Sequence, residues 1–206
     1  MSRHGRISCD GTIRKSGACV LFFISCFFDF AHYCILSLSC RCVLNNELHG
    51  KAMTIDFTDE VVVVAATAWG EARSIGIPGM WGVCNVIANR VRYPRWWGST
   101  FISVCLFNYQ GVYQFDCWRP DTANGNAVRS VTISDADFVT ALGLAYMAVN
   151  NNLPDTTQNA DSYYDDSIPA PSWAVPVPAG GVHTTDIGTS GANLLHFWRL
   201  ELPPPN

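Results

Sequence analysis

Two hundred and six residues, 49% of them apolar and only 15% charged, suffice for one compact domain plus a tail. The charge is unevenly divided: residues 1–52 carry six Lys/Arg against three acids, whereas residues 53–206 carry seven Arg, no Lys and fourteen acids, a net −7. That balance excludes a nucleic-acid partner, which needs clustered cations, and suits a neutral or sugar-like ligand better.

Cysteine usage splits at the same place. Six of the nine lie before residue 53, leaving Cys84, Cys105 and Cys117, an odd three that can form at most one internal disulfide. Arg3, Arg6, Arg14 and Lys15 precede an apolar stretch over 18–28, as in a signal peptide, and a second apolar stretch follows to residue 40. Taken together, 18–40 is long enough to span a bilayer and to act as a membrane tether, at a cost of about 2.5–3.5 kcal/mol for Asp29 near its centre. No small-x-small cleavage site follows the apolar run. The other reading is a start codon placed too far upstream: Gly50-Lys51 back-translates to a purine-rich, ribosome-binding-like stretch just before Met53, where the composition changes abruptly. Both readings divide the chain into an N-terminal segment, 1–52, and a catalytic-size domain, 53–206.

From there the elements are predicted in order. Residues 59–72 read as a buried helix with Thr58 as N-cap and acids in the first turn. Gly76-Ile77-Pro78-Gly79 is a loop in which Pro78 starts a second helix ending near Arg92, before Pro94. Met80, Val83, Cys84, Ile87 and Val91 form its core stripe, and Trp81, Asn85 and Asn89 fall on another face. Residues 100–107 read as a short helix or turn, and 109–126 as a loop or short hairpin. Ser134 is the expected cap of a helix over 135–150 that buries Phe138, Leu142, Ala145 and Val149. Past residue 153 the chain is rich in Pro, Gly and Asp, with strand-like pieces at 172–177 and 194–202 and a frayed end. Helices first and short strands after them make a small, single-domain α+β fold.

Only three glutamates follow residue 53: Glu60, Glu71 and Glu201. Glu60 sits at a helix start and Glu201 near the C-terminus. Glu71 shares a helix face with Val64, Thr67 and Ala68, where lost solvation favours the protonated carboxyl. Cleavage of a glycosidic bond needs such a group to protonate the leaving oxygen; the alternative is a surface carboxylate paired with Arg73 or another Arg. Trp69, Trp96, Trp97, Tyr109, Tyr113, Phe115 and Trp118 lie within fifty residues, some able to stack on sugar rings and others to fill the core. His183 and His196 are too few for a metal site, no Cys-x-x-Cys pair accompanies a His pair, and no nucleophile elbow is present. Neither a metal nor a cofactor is expected.

Several linked motifs then point one way. Ala68-Trp69-Gly70-Glu71-Ala72-Arg73, Met80, Val86-Ile87-Ala88-Asn89-Arg90-Val91 and Gln114-Phe115-Asp116-Cys117-Trp118 resemble, in order, the cell-wall hydrolase family typified by spore-cortex-lytic enzymes. Ala160-Asp161-Ser162-Tyr163, Pro171-Ser172-Trp173-Ala174, and Ile187-Gly188 with His196-Phe197 look like its later motifs, so the resemblance covers roughly 57–200. It implies a lysozyme-like fold and cleavage of peptidoglycan glycan strands between N-acetylmuramic acid and N-acetylglucosamine. Similarity to lytic transglycosylases implies Glu71 as the single catalytic acid. It also implies Gln114, Phe115, Tyr163 and Trp173 as substrate contacts, with Asn89 and Arg90 bracing the site. Hydrolysis instead would need a second carboxylate, for which Asp116 and Asp161 are candidates. The sequence departs from the family's pattern at Ser74, where Gly is common, and at Ser162, where His is common. A stand-alone enzyme of this kind, without wall-binding repeats, suits a monomeric phage endolysin or small autolysin acting in the cell wall or periplasm. A non-catalytic peptidoglycan-binding or virion structural protein on the same fold is the alternative.

Overall fold

The computed structural model describes residues 55–174, 181–191 and 193–201. The 18–40 apolar span and the 1–52 segment lie outside these residues. No helix among the described residues is long and apolar enough to cross a membrane.

Helix α1, Glu60–Ala72, is the axis of the molecule, with nine of its residues from Val63 onward buried. Val63, Val64, Ala65, Ala66 and Ala68 are wholly inaccessible, so tertiary burial outweighs the strand preference of the valines. Helix α2, Ile77–Arg92, stops before Pro94 as expected but starts one residue before Pro78, with Pro78 in its first turn and 77–79 helical where the sequence reads as a loop. Around α1 also pack α3, Phe101–Cys105; α4, Ala123–Ser130; and α5, Ala136–Val149. The caps correct the sequence reading twice. Asp59, not Thr58, caps α1 by accepting from the Val62 N–H, because Thr58 donates instead to Asp56. Asp135, not Ser134, caps α5 by accepting from the Phe138 N–H, while the Ser134 and Thr132 hydroxyls bond to each other.

Between α3 and α4 runs a two-stranded hairpin, β1 at Asn108–Tyr109 and β2 at Val112–Tyr113. Gln110 and Gly111 both have positive φ, the type I′ geometry of a tight hairpin. A 3-10 turn, Asp116–Trp118, follows. The C-terminal part is an antiparallel sheet in the order β3-β5-β4, with β3 at Ser162–Asp165, β4 at Val182–Thr189 and β5 at Asn193–Arg199. The expected strand at 194–202 is β5; of the expected piece at 172–177 the chain turns at 172–174 and the rest lies outside the described residues, and β3, β4 and α4 are additions to the elements expected from sequence.

Sheet and helices meet at Phe197, wholly buried against α2, where a Cβ on Gly82 would stand 2.5 Å from the Phe197 ring. Burying such a ring stabilises the fold by about 1.5–3 kcal/mol. The polar line on α2 has a clear task. Asn85 donates to the Pro154 carbonyl and accepts from Thr156, and Trp81 donates to the same carbonyl at 2.8 Å. Asn89 donates to the carbonyl of Ala160 and to Asp155. These bonds fasten 154–160 to the helix, so the loop's backbone groups are satisfied and β3 begins at a fixed place. Among the described residues the architecture is a small α+β arrangement of five α-helices and two small antiparallel sheets.

Candidate active site

Three elements converge on Glu71, in the last turn of α1. Its Oε1 accepts the backbone N–H of Cys117 at 2.8 Å, and its Oε2 accepts the hydroxyl of Tyr163 on β3 at 2.9 Å. The side chain is half-buried, and no cation neutralises it: among the described residues no Lys or Arg ion pair reaches it. Arg73, the partner a surface reading would give it, lies 4.2 Å from the Trp69 ring and donates to Asn124 at 2.8 Å. Burial raises the Glu71 pKa, against the lowering effect of the Cys117 and Tyr163 donors, and the nearby Asp116 charge raises it further. Burial likewise raises Tyr163 well above the ordinary phenol range, with the Glu71 charge adding to it, so Tyr163 stays a donor.

The approach of the 116–118 turn to α1 depends on Gly70. A Cβ there would stand 2.6 Å from Cys117 Cβ and 2.7 Å from Val128 Cγ2. Thr67, one turn before Glu71, fixes the same turn from below. Its hydroxyl accepts the Trp118 indole N–H at 2.9 Å while donating to the Val63 carbonyl. The Cys117 amide is a partner of Glu71 that the sequence reading does not single out. Its one sequence signal is a glycine next to the acid inside a buried helix.

The other expected site residues fall in three places. Gln114 is exposed, with its N–H closing the base of the β1–β2 hairpin on the Phe107 carbonyl, three residues before Cys117. Phe115 is only 1% exposed. Its ring packs 6.4 Å from Tyr163 and 5.4 Å from the Arg90 guanidinium, so it supports the site from inside the core and has no face for a ligand. Asn89 and Arg90 hold the chain that carries Tyr163: Asn89 bonds the Ala160 carbonyl, and Arg90 Nε donates to the Asp161 carbonyl at 2.6 Å. Arg90 is buried between Trp97 and Phe115, and burial lowers its pKa.

Trp173 is not brought to Glu71. Along β3, Tyr163 faces the core ring of Phe197, while Tyr164 faces the other way, against Trp173 at 5.8 Å and His196 at 4.8 Å. Trp173 therefore lies on the far side of the sheet.

Of the two further carboxylates, Asp161 is wholly buried, and its oxygens accept the N–H groups of Leu200 and Glu201 and the Ser162 hydroxyl. It joins β3 to the end of β5 and is engaged by its own fold. Asp116 is exposed, ion-paired with Arg119 at 3.0 Å, and close enough for its charge to act on Glu71. Among the aromatics, Trp69, Trp97 and Trp118 are core residues. Trp96 and the hairpin's Tyr109 are 51% and 65% exposed. A shallow depression beside Trp69, lined also by Val131 and Asp135, excludes Glu71, as expected for positions two residues apart on a helix.

A half-buried, unpaired carboxyl held by a phenol and a backbone amide is equipped for proton transfer, and the family comparison agrees with a degradative role. A family model described as cell wall hydrolase matches residues 76–189. The chain belongs to the cell wall hydrolase family. No curated protein and no solved structure matches it. The match takes in Gln114, Cys117 and Tyr163 of this cell wall hydrolase and begins five residues after Glu71. Its family makes it a peptidoglycan-degrading enzyme.

Proposed function

We propose that this cell wall hydrolase is a glycosidase of the lytic transglycosylase kind, built on a lysozyme-like domain over 53–206, with Glu71 as acid and then base. The observation that carries this reading is the Glu71 carboxyl, half-buried, without an ion-pair partner among the described residues, and held at each oxygen by one donor. The protonated carboxyl gives its proton to the glycosidic oxygen as the bond from muramic C1 breaks. The resulting carboxylate is stabilised by the Cys117 N–H and the Tyr163 hydroxyl. It then takes the proton of the muramic 6-hydroxyl while O6 bonds to C1, closing the 1,6-anhydro ring and restoring protonated Glu71 with no water consumed. Gln114 and Tyr109, exposed on the hairpin that leads into the Cys117 turn, are assigned to the glycan strand.

A second reading, hydrolysis, is favoured by one observation: Asp116 is exposed and electrostatically linked to Glu71, as a water-holding carboxylate would be. Digestion of isolated sacculi, followed by mass spectrometry of the released muropeptides, tests both. Anhydro-muramic ends are expected. Reducing muramic ends would transfer the reading to hydrolysis through Asp116, and cleavage confined to peptide amides would overturn the glycosidase assignment.

A further inference from the structure

On the far face of the sheet, away from Glu71, two imidazoles converge on one carboxylate oxygen. His183 Nε2 lies 2.7 Å and His196 Nδ1 2.8 Å from the same atom, Asp186 Oδ1. In a regular strand, positions 183 and 186 would point to opposite faces. Here the pairing shifts between His183 and Thr185: His183 opposes Trp198, Thr185 opposes Phe197, and Thr184 is the extra residue. This bulge turns His183 onto the face of Asp186, which itself opposes His196. Bulges that re-aim a side chain in this way are over-represented next to functional sites.

The imidazoles are also held from behind. The His196 ring lies 4.8 Å from Tyr164 at an interplanar angle of 31°, and the His183 ring lies 5.3 Å from Trp198. Side chains already fixed in their rotamers lose little entropy on taking up a ligand. All three candidate ligand atoms lie within 4.8 Å of one another, and their side chains are 22–43% accessible, which leaves an entry path.

We propose that His183, Asp186 and His196 bind a divalent transition ion of the zinc class. Two imidazole nitrogens and one carboxylate oxygen form a borderline donor set that suits zinc, nickel, cobalt or copper and not calcium or magnesium. Bonds of about 2.0–2.2 Å in a tetrahedral arrangement place ligand atoms about 3.3–3.5 Å apart. Asp186 therefore needs to withdraw by about two-thirds of an ångström and the two ring nitrogens, within 4.8 Å of each other, to close by about an ångström or slightly more, with each neutral ring carrying its proton on the nitrogen turned away from the ion. Three protein ligands leave at least one position for water or an outside donor, and the ion ties β4 to β5 across their register. The site does not depend on the assignment of Glu71.

The test uses the full chain with its accessible thiols alkylated, titrated with Zn²⁺ by calorimetry and with Co²⁺ by absorption. One ion per chain is expected, with ligand-field bands and no thiolate charge-transfer band, and a rise in Tm with added Zn²⁺. His183→Ala and His196→Ala should each weaken binding at least about tenfold and abolish the Tm response, with the near-ultraviolet dichroism of the metal-free protein unchanged. Failure of the wild-type chain to bind Zn²⁺ at micromolar concentration would overturn the proposal and leave a hydrogen-bonded His-Asp-His group. Undiminished binding in the His183→Ala/His196→Ala double variant would overturn it as well.

Discussion

Replacing Glu71 by Gln keeps the shape of the side chain and removes its proton chemistry. The amide oxygen can still accept the Cys117 N–H, and the amide NH2 can donate to the Tyr163 oxygen, so the clamp between α1, the 116–118 turn and β3 persists. The effect on stability follows from the direction of the Glu71 pKa, which burial raises in the folded state. Above the ordinary glutamate value of about 4.3 and below the raised one, the folded protein holds a proton that the unfolded chain has released. Stability of the wild type therefore falls as pH rises through that window, by about 1.4 kcal/mol for each tenfold displacement of the proton equilibrium. The glutamine variant has no such titration. The Tm of Glu71→Gln minus that of the wild type should be smallest near pH 4 and widen toward neutrality, by roughly 2–4 °C per kcal/mol for a domain of this size. Glycan release from sacculi should meanwhile drop by about 10²–10⁴-fold, the usual worth of a positioned general acid. Calorimetric scans from acid to neutral pH, paired with muropeptide release, read both quantities. A pH-independent loss of stability together with an undiminished rate would make Glu71 a structural carboxyl and refute the reasoning.

Other perturbations probe the same arrangement. Tyr163→Phe removes a donor that lowers the Glu71 pKa, so the descending alkaline limb of the pH–rate profile should move to higher pH; a limb that stays in place would remove Tyr163 from the site. Gly70→Ala improves helix propensity by about 1 kcal/mol but sets a methyl 2.6 Å from Cys117 Cβ, so a net loss of about 1–3 kcal/mol in urea unfolding and a reduced rate are expected. A stabilised, fully active Gly70→Ala protein would contradict the close approach described. Asp161→Ala strips the acceptor from the Leu200 and Glu201 N–H groups and should cost about 2–3 kcal/mol, while the rate per folded molecule is retained. A lost rate with the folded fraction unchanged would instead give Asp161 a part in the chemistry.

The helices are legible where local chemistry decides them, and misread where two local signals compete. Pro78 and Pro94 bracket α2 with no need of tertiary information. Thr58 and Ser134 each precede an aspartate that caps just as well. The choice falls to Asp59 and Asp135 because the neighbouring hydroxyls are engaged by Asp56 and Thr132. Helix α4 escapes the sequence reading because Ala-Asn-Gly-Asn is a poor helical start; its Thr122 cap and its packing on α1 make it. Strand period also conceals the far-face group: only the bulge at Thr184 puts His183 beside Asp186, and period-two reading separates them.

At the site itself the sequence points to Glu71 through its apolar helix face and the family resemblance of the motif around it, yet cannot show what holds it. One partner is a backbone amide, a group every residue but proline carries, so the identity of residue 117 says nothing about its role. What such an interaction does demand is proximity, and proximity demands room. Glycine in the interior of a helix costs about 0.5–1 kcal/mol relative to alanine, which a buried helix made mostly of valine and alanine would have no reason to accept. At Gly70 the missing methyl is the space into which Cys117 fits. Glycine beside a candidate acid on a buried helix is thus the trace that a backbone donor leaves in a sequence, and here it points to the turn that holds Glu71.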